Sequence, residues 1–114
     1  MKRRDNGQAP RADDELSPRA RARNALVEAL ATVNSRDEMA AFLTDLCTPA
    51  ELEALADRWS VVPLLADGVP YRAVHEQTGV SVTTVGRVAR CLEHGSGGYR
   101  SVLAHTRGAQ PAHG

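Results

Sequence analysis

A single glycine corner constrains this chain more than any other feature. It lies within Val69-Pro-Tyr-Arg-Ala-Val-His-Glu-Gln-Thr-Gly-Val-Ser-Val-Thr-Thr-Val-Gly-Arg-Val-Ala-Arg-Cys-Leu92. Val74 and Thr78 stand four apart and face inward from a first short helix. Gly79 supplies the turn, where a positive φ is cheap only for glycine. Val80 plugs that turn, Ser81 is a natural N-cap, and a second helix starts at Val82. On the second helix Val82, Val85, Val88, Ala89 and Leu92 recur at helical spacing and form an inner stripe. Thr83, Thr84, Arg87 and Arg90 lie on the other side. The segment from about residue 70 to 92 therefore predicts a helix-turn-helix.

A second helix of this kind lays its N-terminal turns in the major groove of DNA. Hydroxyl and guanidinium groups there suit base edges and phosphates. The candidate DNA-binding residues are Arg72, Ser81, Thr83, Thr84, Gly86, Arg87 and Arg90. Arg87 and Thr83 are expected on bases; Ser81, Thr84, Arg90 and Arg72 are expected on phosphates. Small β-branched residues dominate where an ordinary surface helix would carry Glu, Lys and Leu. Gly86 costs roughly 1 kcal/mol relative to Ala inside a helix, so it marks a close approach of DNA or of another helix. His75 occupies the fifth position of the motif, usually small. Its imidazole must tilt outward or widen the helix crossing, and in the second case protonation would change DNA affinity. A helical hairpin with a glycine corner and a valine core fits the same spacing without DNA.

The chain has 114 residues, enough for one domain. Its four aromatics, Phe42, Trp59, Tyr71 and Tyr99, make a thin core of its own. Small helical chains of this sort are often completed by a second subunit. Net charge is zero but segregated. Residues 35–67 carry two Lys/Arg against seven Asp/Glu, and residues 68–114 carry five against two. The positive part holds the helix-turn-helix, and such segregation matters more for nucleic acid than the total. No stretch resembles a signal peptide or approaches the ~18 apolar residues of a membrane span, so a cytoplasmic location without membrane contact is expected. Cys47 and Cys91 are read as reduced, buried small residues. Cys91-x-x-His94 with His105 lacks a second tight pair, so no metal and no cofactor is expected.

Residues 1–16 are polar, mixed in charge and without apolar period, and read as a disordered tail. Its basic start, Lys2-Arg3-Arg4, is a solvated tail or a flexible arm for phosphates. Ser17-Pro18 opens a helix with Leu26, Ala29, Leu30 and Val33 on one face, ending near Asn34. Ser35-Arg-Asp-Glu38 and Thr48-Pro-Ala-Glu51 both match capping boxes. The first leads Met39, Phe42, Leu43 and Leu46; the second leads Leu52, Leu55, Trp59, Val62 and Ala66. Pro63 removes the hydrogen bond to the Trp59 carbonyl and predicts a kink. Asp67-Gly68 closes that helix. Gly95-Ser-Gly-Gly98 makes a break before a last short helix with Tyr99, Val102 and Leu103. A helical domain over 17–107 and a frayed tail over 108–114 complete an all-α chain of about six helices.

Asp45-Leu-Cys-Thr-Pro-Ala-Glu-Leu52, Arg58-Trp59, Leu64-Leu65-Ala-Asp-Gly68, Thr78-Gly-Val-Ser81, Arg87-Val88, Arg90-Cys-Leu92 and Gly95-Ser-Gly-Gly-Tyr99 occur in order. Together they resemble the Trp repressor superfamily, nearest its YerC/YecD branch, over roughly residues 36–104. The resemblance implies an intertwined homodimer with a helix-turn-helix in each subunit, the N-terminal helices and the Trp59 stripe forming the interlocked surface. It also implies a candidate ligand pocket at Thr48, Arg58, Arg87, Val88 and Cys91. Thr48, Arg58 and Arg87 match the family's ligand-holding residues. Val88 stands where the repressor has a glycine that leaves room for the indole, and Cys91 replaces a serine that accepts from the ligand's amino group. A small-molecule corepressor fits this pattern, but tryptophan is not expected.

The leading reading is a sequence-specific transcriptional regulator, by default a repressor. It would bind a pseudo-palindromic operator in double-stranded DNA as a homodimer. The alternatives are a ligand-dependent repressor with a corepressor other than tryptophan, or a helical adaptor that has lost DNA and docks a basic partner on the acidic block of Asp45, Glu51, Glu53 and Asp57. No paired carboxylates, Ser/His/Asp arrangement or nucleotide loop supports an enzyme.

Overall fold

The structure, a computed structural model, describes residues 16–109. Most of the expected first tail (1–16) and residues 110–114 of the second lie outside the described residues. Six helices follow in order: α1 (Pro18–Thr32), α2 (Arg36–Leu46), α3 (Pro49–Ala66), α4 (Tyr71–Thr78), α5 (Val82–His94) and α6 (Gly98–Ala109). Among the described residues there is no strand. The chain is all-α, as its apolar periods require.

Local chemistry sets the boundaries. Ser17 caps α1 by accepting from the Ala20 N–H at 3.1 Å, with Pro18 in the first turn. The Ser35 hydroxyl accepts from the Glu38 N–H at 3.0 Å at the start of α2. Thr48 and Glu51 form a reciprocal capping box: the Glu51 N–H donates to Thr48 Oγ1 at 3.1 Å, and the Thr48 N–H donates to Glu51 Oε1 at 2.8 Å. Helix α3 runs through Pro63 and continues to Ala66. Gly68 (φ 85°) then turns the chain, its N–H donating to the Leu65 carbonyl. Helix α6 includes Gly108 and Ala109, so the chain is helical two residues past the expected start of the tail.

The helices fall into two compact units, divided between Leu46 and Cys47. In the first, neither α1 nor α2 buries a single residue. Leu26 and Val27 are exposed on α1, and Leu46 is exposed on α2. The second unit holds the core: Val61, Val62, Val74, Val80, Val85, Val88, Leu92 and Leu103. Trp59 and Tyr99 pack against it, their ring centroids 6.4 Å apart. Arg107 ties α6 to the end of α3 through Asp67 at 3.1 Å.

Two burial expectations are corrected. Val82 does not belong to the inner stripe; it is 53% exposed. At 3.6 residues per turn it sits about 70° from the centre of the arc formed by Val85, Val88, Ala89 and Leu92. Val80, from the turn, fills the inside of the corner instead and is buried. Both cysteines are free thiols, but neither is buried: Cys91 is exposed and Cys47 half-buried. Cys91 lies on α5 away from the buried stripe, so the core makes no use of it.

Candidate nucleic-acid interface

Helices α4 and α5 and the corner between them make a helix-turn-helix. Gly79 adopts φ 79° and donates its N–H to the His75 carbonyl at 2.8 Å, which ends α4. An added Cβ there would meet no other atom, but the left-handed backbone alone strains any other residue. Thr78 steadies the corner twice: its hydroxyl donates to the Val74 carbonyl at 2.8 Å and accepts from the Val80 N–H at 3.1 Å. Ser81 then opens α5 by accepting from the Thr84 N–H at 3.1 Å. Val74 and Val85 are buried on the facing sides, so the corner is clamped from inside and outside.

His75 resolves the steric question at the fifth position by turning outward. The residue is exposed, and Nδ1 lies 2.7 Å from the Val80 carbonyl oxygen. A carbonyl only accepts, so Nδ1 carries the proton and donates. The ring thus fastens α4 to the turn.

The outer face of α5 carries the polar groups. Thr83, Arg87 and Arg90 are exposed there, Gly86 lies between them, and Arg72 is exposed on α4. Among the described residues none of these three arginines is held by a hydrogen bond or ion pair. Their guanidinium groups are available to a ligand. Ser81 is exposed and Thr84 half-buried, and the Ser81 hydroxyl donates to Thr84 Oγ1 at 3.1 Å, so both are engaged in the cap as well as facing outward. A Cβ built on Gly86 meets nothing within 4 Å. Among the described residues no second helix crowds it. Gly86→Ala is therefore expected to stabilise the fold by about 1 kcal/mol through helix propensity. Thermal unfolding would shift up while DNA affinity, in a binding assay, falls; unchanged affinity would show that nothing approaches this position.

The five candidate ligand residues stand in different surroundings. Thr48 is committed to its capping box. Val88 is buried in the core. Arg58 and Arg87 are exposed. Cys91 alone of the five lines a largely apolar cavity of about 560 Å³, together with Trp59, Tyr99, Val102 and the loop Gly95–Gly98. Sequence reasoning overlooked a second concavity of about 450 Å³ between α4 and the start of α5, lined by Tyr71, Arg72, His75, Glu76 and Val82. Val82 and Tyr71 are both about half exposed there. The signal available for Val82 was its place directly after the N-cap, at the margin of the apolar arc.

The Trp repressor protein family model matches residues 22–107, taking in most of α1 and all of the helix-turn-helix. The chain belongs to the Trp repressor family. It is 35% identical over 78 residues to YerC, an uncharacterized Bacillus subtilis (strain 168) protein, covering 68% of this chain and 75% of that one. Solved structures agree. A TrpR-like protein from Eubacterium eligens ATCC 27750 superposes with a TM-score of 0.70 at 32% identity, covering 75% of this chain and 89% of that one. A putative Trp repressor from Staphylococcus aureus gives 0.71 at 28% identity, covering 86% and 96%. Both neighbours share the helical frame, and YerC fits the branch that the sequence motifs resemble. Membership in the Trp repressor family points to a helix-turn-helix DNA-binding regulator rather than an enzyme. No helix among the described residues is long and apolar enough to cross a membrane.

Proposed function

We propose that this Trp repressor family member is a cytoplasmic homodimer that binds a pseudo-palindromic DNA operator and represses transcription. The observation that carries the reading is the outer face of α5. Thr83, Arg87 and Arg90 surround Gly86 there, and both arginines lack a partner among the described residues. Arg87 and Thr83 read bases, while Arg72, Ser81, Thr84 and Arg90 hold phosphates. Half-sites lie one helical turn, about 34 Å, apart or a multiple of it. Repression would follow from occupancy of the operator.

A second copy accounts for the apolar surface of the first unit. Helices α1 and α2 bring Leu26, Val27 and Leu46 to solvent and bury nothing. Burying these side chains would be stabilising, and a second copy is the proposed cover. With the second copy interlocked, residues 17–107 act as one DNA-binding and dimerisation domain.

A small molecule other than tryptophan is the candidate corepressor. Val88 stands where the repressor has a glycine, and its valine side chain, buried in the core, supports a reading without room for an indole. Isothermal titration with L-tryptophan is expected to show no binding in the micromolar range; stoichiometric micromolar binding would overturn this part of the reading.

The test of the function is an unbiased DNA selection with purified protein beside Arg87→Ala. An enriched palindrome, lost in the variant, is the expected result. No enrichment with either protein would leave two readings, a missing corepressor or the adaptor, in which the acidic residues Asp45, Glu51, Glu53 and Asp57 engage a basic partner; a small-molecule thermal-shift screen and a partner pull-down divide them.

A further inference from the structure

We infer that Val82 recognises the 5-methyl group of a thymine in each operator half-site. The inference rests on the DNA-binding reading above and adds to it a base identity. Four valines of the helix-turn-helix, Val74, Val80, Val85 and Val88, are buried at 5% exposure or less, whereas Val82 is 53% exposed. A lone exposed valine is ordinary on a protein surface. This one is the first residue of α5, in the turn that a recognition helix presents to base edges. One turn further along, Gly86 has no side chain and an added Cβ would meet open space, so nothing screens the isopropyl group from an approaching base.

An isopropyl group has neither donor nor acceptor. In the major groove the feature it can recognise is the thymine methyl, since every other distinguishing group on a base edge is a hydrogen-bonding one. The concavity beside Val82 supports the same occupant. It is shared with Tyr71, Arg72, His75 and Glu76. Tyr71 and Val82, each about half exposed, bring apolar surface to it. A neutral methyl on a base edge suits that surface and leaves the Arg72 guanidinium to the backbone phosphates. Burying the methyl against the isopropyl removes apolar surface of both from water.

The test replaces each thymine of the selected operator by deoxyuridine, which deletes the methyl and keeps every hydrogen-bonding group. Wild-type protein is expected to lose about fourfold in affinity at one thymine position when one half-site is changed, and about 15-fold when both are. Val82→Ala is expected to bind the thymine and uracil operators equally at that position. Because Val82 is a surface residue, thermal unfolding of Val82→Ala should match wild type, which separates lost contact from lost fold. Equal uracil penalties for both proteins, or no thymine whose methyl matters, would overturn the assignment. If the operator is enriched and Arg87→Ala abolishes it while uracil penalties are equal, only the role of Val82 falls. If no DNA is enriched at all, the DNA-binding reading falls, and this one with it.

Discussion

Replacing Arg87 by alanine is expected to weaken operator binding by roughly 30-fold to 20,000-fold without unfolding the protein. A guanidinium that donates twice to guanine O6 and N7 discriminates by about 1–3 kcal/mol, and a dimer loses that contact in both half-sites. The range follows because each 1.4 kcal/mol is a tenfold change. The fold is insulated from this substitution. Arg87 is exposed, makes no hydrogen bond or ion pair among the described residues, and lies on the side of α5 away from Val85, Val88 and Leu92. Surface changes of this type alter stability by about 0.5 kcal/mol or less. The measurement is a titration of wild type and Arg87→Ala on the selected operator and on variants at each base pair. Specificity should relax at one position per half-site, symmetrically about the dyad. A uniform loss over all sequences would instead make Arg87 a phosphate contact, and no loss would remove it from the interface.

The parts of this fold that were legible are those decided within a few residues. Gly79 announces its left-handed corner because no other residue takes φ 79° at low cost. Ser81 and the Thr48–Glu51 pair announce helix starts because their side chains satisfy N–H groups three residues away. Burial was less legible, because it depends on what packs across the helix. Val82 and Val85 are the same residue type three positions apart, yet one is exposed and the other buried. The difference is angular: Val85 lies near the centre of the buried arc, whereas Val82 lies about 70° from it, where Val80 and not Val82 is buried at the corner. Cys91 was misread for the same reason: its small apolar character suits a core, but its angular position on α5 puts it at a cavity rim. On α1 and α2 an apolar period says only that a face needs cover, and it cannot say which chain supplies that cover. Likewise the sterics at His75 left an outward tilt or a wider helix crossing open, and the bond to the Val80 carbonyl appears only once the turn has its shape. Candidate contacts with DNA were readable as side-chain types, while the bases they meet belong to the DNA.

Raising salt from about 50 to 200 mM is expected to weaken operator binding by roughly 150-fold. Two proposed cationic phosphate contacts per subunit, Arg72 and Arg90, give about four per dimer, each releasing condensed counterions and contributing about −0.9 to the slope of log affinity against log salt. The formal charge of the whole chain is zero, which would predict almost no salt effect if charge acted as a total. It acts locally instead. Residues 68–114 carry five Lys/Arg against two Asp/Glu, and screening at these ionic strengths confines each charge to roughly 7–14 Å. The acidic stretch of residues 35–67 therefore offsets little of the attraction if it lies farther than that from the bound backbone. Arg72→Ala or Arg90→Ala should each flatten the slope by nearly two units per dimer and weaken all sequences alike, in contrast to the position-specific loss in Arg87→Ala. The two patterns divide the arginines by role. A protein that docked a basic partner on its acidic residues would also bind more weakly in salt, but its slope would be indifferent to Arg72 and Arg90 and sensitive to Glu51, Glu53 and Asp57. Measuring the slope in these variants thus tests the interface and its rival on one set of titrations.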